Sequence, residues 1–158
     1  MSSFNITLLV NKPVEHIFSL YLDENFMPHW ISGFKGIEIL KGMPREADSL
    51  YKMIVRFHDD DMVVFQKLLE VRENKKLSIE MELPQLFTYS EILFHQEGDT
   101  TQLECKVKIK GKSLKVKFAM PYVKALLLSR NQWDYQTFKR LAECKDLEKE
   151  LRATRKIS

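Results

Sequence analysis

Arg130 and Asp134 are the residues whose type and spacing most invite chemistry. They lie four apart in a helical stretch, so their side chains can meet. Taking about 100° per residue, both fall within roughly 40° of the middle of an apolar stripe, as does Thr137. Two charges inside a packed core are costly, whereas polar heads in a solvated cavity are easier to hold. One reading makes Arg130, Asp134 and Thr137 the polar end of a ligand pocket for a carboxylate, phosphate or hydroxyl. The other has Arg130 snorkelling past a sheet edge with Asp134 paired to it. The two tryptophans are similarly double-edged. Trp30 either roofs a cavity mouth or anchors the core, and Trp133 sits at the stripe edge, where it would pack on a sheet with its N–H reaching a partner.

Signals for catalysis are weak. His16, His29, His58 and His95 are scattered, and no HExxH, GxSxG or glycine-rich phosphate loop exists. The run His58-Asp59-Asp60-Asp61 reads as a solvated turn between strands rather than a cation site. Cys105 and Cys144 fit no ligand or disulfide spacing and read as small buried hydrophobes. No metal or cofactor is therefore expected and no catalytic residue is singled out, although a few cavity polar groups positioning a reactive chain could still act without a motif; Tyr89 and Glu91 become candidates only if the last hairpin register flips. The lysines at 106, 108, 110, 112, 115 and 117 alternate with Val107, Ile109, Leu114 and Val116, the pattern of a strand with one wet face. A patch for anionic lipid heads or RNA is the alternative.

The elements that would position these residues follow from hydrophobic period. Phe4, Ile6, Leu8 and Val10 alternate as a first strand; Asn11-Lys12-Pro13 starts a helix through Tyr21; and Asp23 starts a second that Ser32-Gly33 ends. Six strands follow, at about 36–41, 49–57, 62–72, 76–83, 87–96 and 100–110, joined by breaks too short for parallel crossovers. A two-residue turn at Gly98-Asp99 pairs Phe94 with Leu103, Ile92 with Cys105, Ser90 with Val107 and Thr88 with Ile109. That face looks inward, as do Tyr51, Met53, Val55 and Phe57, and Leu77, Ile79, Met81 and Leu83. A long helix then runs from Pro121 to about Leu151, with a frayed basic tail at 152–158.

The 158 residues suit a single domain, 1–158, and 44% hydrophobic with 30% charged reads as a globular chain. A net charge of +3, from 25 basic and 22 acidic residues, argues against nucleic acid as the main partner. No window reaches the length of a membrane span and no signal peptide is evident, so a cytoplasmic location without integral membrane association is the expectation. The ten Phe, seven Met, five Tyr and two Trp supply either a dense core or a cavity wall.

The order strand, two short helices, six strands, long helix resembles the SRPBCC superfamily, the START-like or helix-grip domains, in its polyketide cyclase/dehydrase-like branch. The carriers are Asn11-Lys12-Pro13-Val14-Glu15-His16-Ile17-Phe18, Trp30-Ile31-Ser32-Gly33, Ile37-Glu38-Ile39-Leu40-Lys41-Gly42, Gly98-Asp99-Thr100-Thr101 and Leu141-Ala142-Glu143. Ala47-Asp48 departs from it, where many relatives place a glycine. The resemblance implies an α+β helix-grip fold, a seven-stranded curved antiparallel sheet with two short helices and one long C-terminal helix enclosing a cavity. It also implies a hydrophobic or amphipathic small molecule as partner. The expected lining is Trp30, Tyr51, Met53, Phe57, Met81, Ser90, Ile92, Phe94, Cys105, Arg130, Trp133, Asp134 and Thr137. Three functions fit: a carrier of such a molecule, a cyclase- or dehydratase-like enzyme, and a co-chaperone-like interaction module.

Overall fold

The computed structural model describes the backbone of residues 1–157 and the side chains of residues 1–152. Its elements are β1 (Ser2–Val10), α1 (Val14–Tyr21), α2 (Met27–Trp30), β2 (Phe34–Lys41), β3 (Leu50–Phe57), β4 (Asp60–Arg72), β5 (Lys76–Glu82), β6 (Leu86–Glu97), β7 (Thr100–Gly111), α3 (Leu114–Phe118), α4 (Met120–Ala142) and α5 (Leu147–Ile157). The seven strands form one antiparallel sheet in the order β1-β7-β6-β5-β4-β3-β2. Six strands follow one another as neighbours, and β1 closes the arrangement from the far end of the chain, Phe4 opposite Val107 and Leu8 opposite Leu103.

The β6–β7 register is the one that turn length dictates, with Ile92 opposite Cys105 and Phe94 opposite Leu103. Gly98 opens that turn at φ 60°, a conformation that glycine adopts without a Cβ penalty. Thr88, Ile92 and Phe94 are buried together with Leu103, Cys105, Val107 and Ile109. The same alternation buries Tyr51, Met53 and Val55 on β3. The acidic run is a hairpin, with Phe57 paired to Asp60 and Arg56 bonded to Asp61 at 3.0 Å, so β4 starts two residues earlier than its apolar pattern suggests. Asp48, at the departure from the family pattern, takes φ 68°. Aspartate tolerates that left-handed region better than most residues.

In the C-terminal half the expected long helix is present as α4, but it ends at Ala142 rather than near Leu151, and a short α3 precedes it. Pro121 lacks the N–H that a continuing helix would need, so α3 ends at Phe118 and α4 begins afresh at Met120. Ser113 caps α3, its hydroxyl accepting from the Val116 N–H at 3.3 Å. The lysine run is therefore a strand only as far as Gly111, and from Leu114 it is helix. α4 stops at Ala142, and Glu143 turns back to accept from the Asn11 N–H at 3.0 Å and from Lys139 at 2.6 Å. Asp146 accepts from the Lys149 N–H and starts α5, so the segment expected as a frayed tail is helical through Ile157. No helix among the described residues is long and apolar enough to cross a membrane.

α4 lies over β1, and its inward residues Tyr135, Phe138, Leu141 and Ala142 are buried in the main core. Trp133 is not among them: it is 71% exposed on the outer face, which corrects its expected packing on the sheet. The rotation follows from its neighbours, because pointing Asp134, Tyr135 and Phe138 inward turns the preceding position out. Phe138→Ala should lower the free energy of unfolding by about 3–5 kcal/mol. Trp133→Ala should change it by no more than about 0.5 kcal/mol, both read from urea denaturation.

Candidate functional site

Asp134 is buried at the point where α4 crosses the turn from α2 to β2. Its Oδ1 accepts from the backbone N–H of Ser32 at 3.1 Å and from the Ser32 hydroxyl in a short hydrogen bond. Arg130, one turn earlier, donates to the Ser32 carbonyl and at 3.4 Å to the Arg56 carbonyl, while its guanidinium lies over the Phe57 ring at 5.1 Å. The two charged residues thus grip one serine from both sides of its backbone. Gly33 makes the approach possible: its φ is 71°, and a Cβ there would stand 2.1 Å from the Arg56 carbonyl oxygen. Burial pushes the Asp134 carboxyl above its usual range, against the opposing pull of the Ser32 donors and Arg130.

Deeper in, a polar chain crosses the apolar core. Tyr135 donates to the Cys105 sulfur at 3.3 Å, which leaves its oxygen to accept from the Tyr21 hydroxyl at 2.7 Å. Burial raises both phenols, and it pushes the Cys105 thiol up to about 11. A thiol protonated at neutral pH is a poor nucleophile. Around this chain the rings are close, with Trp30 to Phe138 at 5.0 Å, Tyr21 to Trp30 at 5.3 Å and Phe18 to Phe94 at 5.1 Å. The Trp30 indole N–H is buried in the middle and has no acceptor among the described residues. An unpaired buried donor is uncommon and costly.

The expected lining residues are gathered only in part. Tyr51, Met53, Ile92, Phe94 and Cys105 are buried on the inner sheet face, with Phe57, Met81 and Ser90 half-buried beside them. Tyr51 also borders a void of about 10 Å³, room for about one water, where its hydroxyl accepts from the Arg45 N–H at 3.0 Å. Thr137 turns its hydroxyl to the Trp133 carbonyl at 3.0 Å, and Trp133 faces away altogether.

A larger concavity, of about 490 Å³, opens where the sheet meets the start of α4. Its walls are Met1 and Ser2 of the first strand's end, Lys110 and Gly111 of β7, Lys117 of α3, and Met120, Pro121 and Lys124 of α4. None of the residues expected from sequence lines it. The signal for it was present in the lysine run and in Pro121, but read as a wet strand and a helix start they did not point to a common place. No group of three or more His, Cys, Asp or Glu among the described residues is arranged to hold a metal.

No family model matches the chain, and no curated protein does. Solved structures match over most of its length. The Zhui aromatase/cyclase from Streptomyces sp. R1128 superposes with a TM-score of 0.76 at 11% identity, covering 90% of this chain and 93% of that one. The chain has the helix-grip fold. Ara h 8.0201 superposes with a TM-score of 0.73 at 12% identity, covering 89% of this chain and 97% of that one. A conserved protein from Geobacillus kaustophilus gives 0.73 at 13%, covering 89% and 95%. At these identities the likeness bears out the SRPBCC resemblance at the level of fold, and helix-grip domains place their long helix across the sheet as α4 does here.

Two predictions follow the site's electrostatics. Between the ordinary carboxyl pKa of about 3.9 and the higher native value of Asp134, the folded chain holds a proton that the unfolded chain releases. Wild-type stability relative to Asp134→Asn should therefore fall as pH rises through that window and level off above it. Urea titrations of both proteins across the acid range measure it. Iodoacetamide at mildly alkaline pH should label the half-buried Cys144 in the native protein and spare Cys105, as read by peptide mass spectrometry.

Proposed function

We propose that the helix-grip domain binds an amphipathic small molecule with an anionic head, the head seated in the groove at the start of α4. The observation that carries this reading is the groove of about 490 Å³, with Lys110, Lys117 and Lys124 among its walls beside Met120 and Pro121. Its volume falls in the ordinary range of small-molecule sites, about 300–1,000 Å³. None of the three lysines is ion-paired to another described residue, so their charge is available to a carboxylate or phosphate. Met120 packs partly against the main core, and Val123, Leu127 and Leu128 continue a half-buried apolar face along α4. Met120 and Pro121, which line the groove, would take the apolar part of the ligand. The thiols of Cys105 and Cys144 are free, which suits a cytoplasmic setting.

A second reading is favoured by the acceptor-less Trp30 N–H. It places a smaller ligand, with an acceptor oxygen, among Tyr21, Tyr135 and Phe138, within the interior wall of Tyr51, Met53, Met81, Ser90, Ile92, Phe94 and Cys105. A cyclase- or dehydratase-like activity would operate from such a place by positioning a reactive chain against a few polar groups.

Calorimetric titration with decanoate and with decanol separates the two. On the first reading decanoate binds, decanol binds at least about tenfold more weakly, and Lys117→Met with Lys124→Met removes about the same factor from decanoate while Trp30→Phe leaves it unchanged. Equal affinity for the two compounds, or indifference to the lysine substitutions, would overturn the groove reading. Binding lost only in Trp30→Phe would favour the interior.

A further inference from the structure

Between Lys106 and Ala142 the chain has ten cationic residues and one acidic residue, Asp134, in a molecule whose total charge is +3. The rest of the surface is therefore net negative, and the positive charge is gathered on β7, α3 and α4. Within this stretch Leu114, Phe118 and Tyr122 recur every fourth position across α3 and the first turn of α4. They are 73%, 87% and 70% exposed, an unusual state for three large apolar side chains in succession. Lys115, Lys117 and Lys124 flank them, and Lys112 stands beside them, bonded to Glu82 at 2.7 Å.

This combination selects its partner. A second copy of the same surface would bring like charges together, which disfavours self-association. A duplex nucleic acid would use the lysines alone, and a single strand, which can stack on Phe118 and Tyr122, would still leave Leu114 in water. An anionic bilayer satisfies both sets: apolar side chains enter the acyl boundary while amines meet headgroup phosphates and carboxylates. We propose that α3 and the start of α4 form a peripheral docking surface for anionic phospholipid membranes. Lys117, Met120 and Pro121 border the groove from the same side, so docking sets the groove mouth against the headgroup layer. An amphiphile could then pass between bilayer and groove, a step that rests on the groove reading, whereas docking does not.

Co-sedimentation with vesicles of phosphatidylcholine alone, and of phosphatidylcholine mixed equally with phosphatidylserine, tests it. The expected result is at least about tenfold tighter association with the anionic vesicles at low salt, weakening as salt rises. Leu114→Ser with Phe118→Ser should lower that association at least about tenfold, with melting temperature and decanoate binding unchanged, because neither side chain lines the groove. Lys115→Glu, a single exposed change outside the groove, should weaken it in the same direction. No association with anionic vesicles at low salt would overturn the proposal, as would association unaffected by these substitutions. A dimer in solution that Leu114→Ser with Phe118→Ser converts to a monomer would overturn it in favour of a second copy. Absence of decanoate binding by the wild-type protein, with vesicle association intact, would overturn the groove reading and leave docking standing.

Discussion

The layered arrangement hangs on where the buried carboxylate of Asp134 finds its donors. A carboxylate taken out of water must be repaid with hydrogen bonds, and the available ones belong to Ser32, at the turn that Gly33 presses against β3. Once Asp134 is anchored there, the rotation of α4 about its axis is set. Tyr135, Phe138 and Leu141 then face the sheet, Trp133 faces solvent, and Arg130 reaches the same serine from above. The pair is thus a fastening between three elements that are distant in sequence: the α2–β2 turn, the end of β3 and the long helix.

That fastening divides α4 into unlike halves. Beyond Arg130 the helix lies on close-packed rings threaded by the Tyr21–Tyr135–Cys105 chain, a place of high density and few polar choices. Before it, the inner residues are only half-buried, Pro121 sits in the first turn, and lysines gather around a groove. Packing stability is concentrated in one half and the lysine-lined concavity lies in the other. A cavity wall and a core demand the same side chains, which is why counts of Phe, Met, Tyr and Trp could not tell them apart.

Strand positions and the register of the last hairpin were legible because alternation and turn length are local: Gly98-Asp99 leaves one pairing that buries Ile92, Phe94, Leu103 and Cys105 together. The clamp was half legible. The spacing of Arg130 and Asp134 showed that both sit on the inward stripe, but not that their shared partner is Ser32, a hundred residues away. The groove was the least legible part of the site, since its walls come from β1, β7, α3 and α4 and become neighbours only when β1 pairs across the fold with β7.

By itself, the amino-acid sequence determined the order of elements, their hydrophobic faces and hence the two-layer α+β class, because period, caps and turns act over a few residues. It also placed the lysines in one stretch of chain. Tertiary structure alone decided which way α4 turns, what Asp134 and Arg130 hold, which aromatic rings fill the interior and where a concavity remains. These depend on contacts between segments far apart in sequence, whose geometry no local pattern encodes.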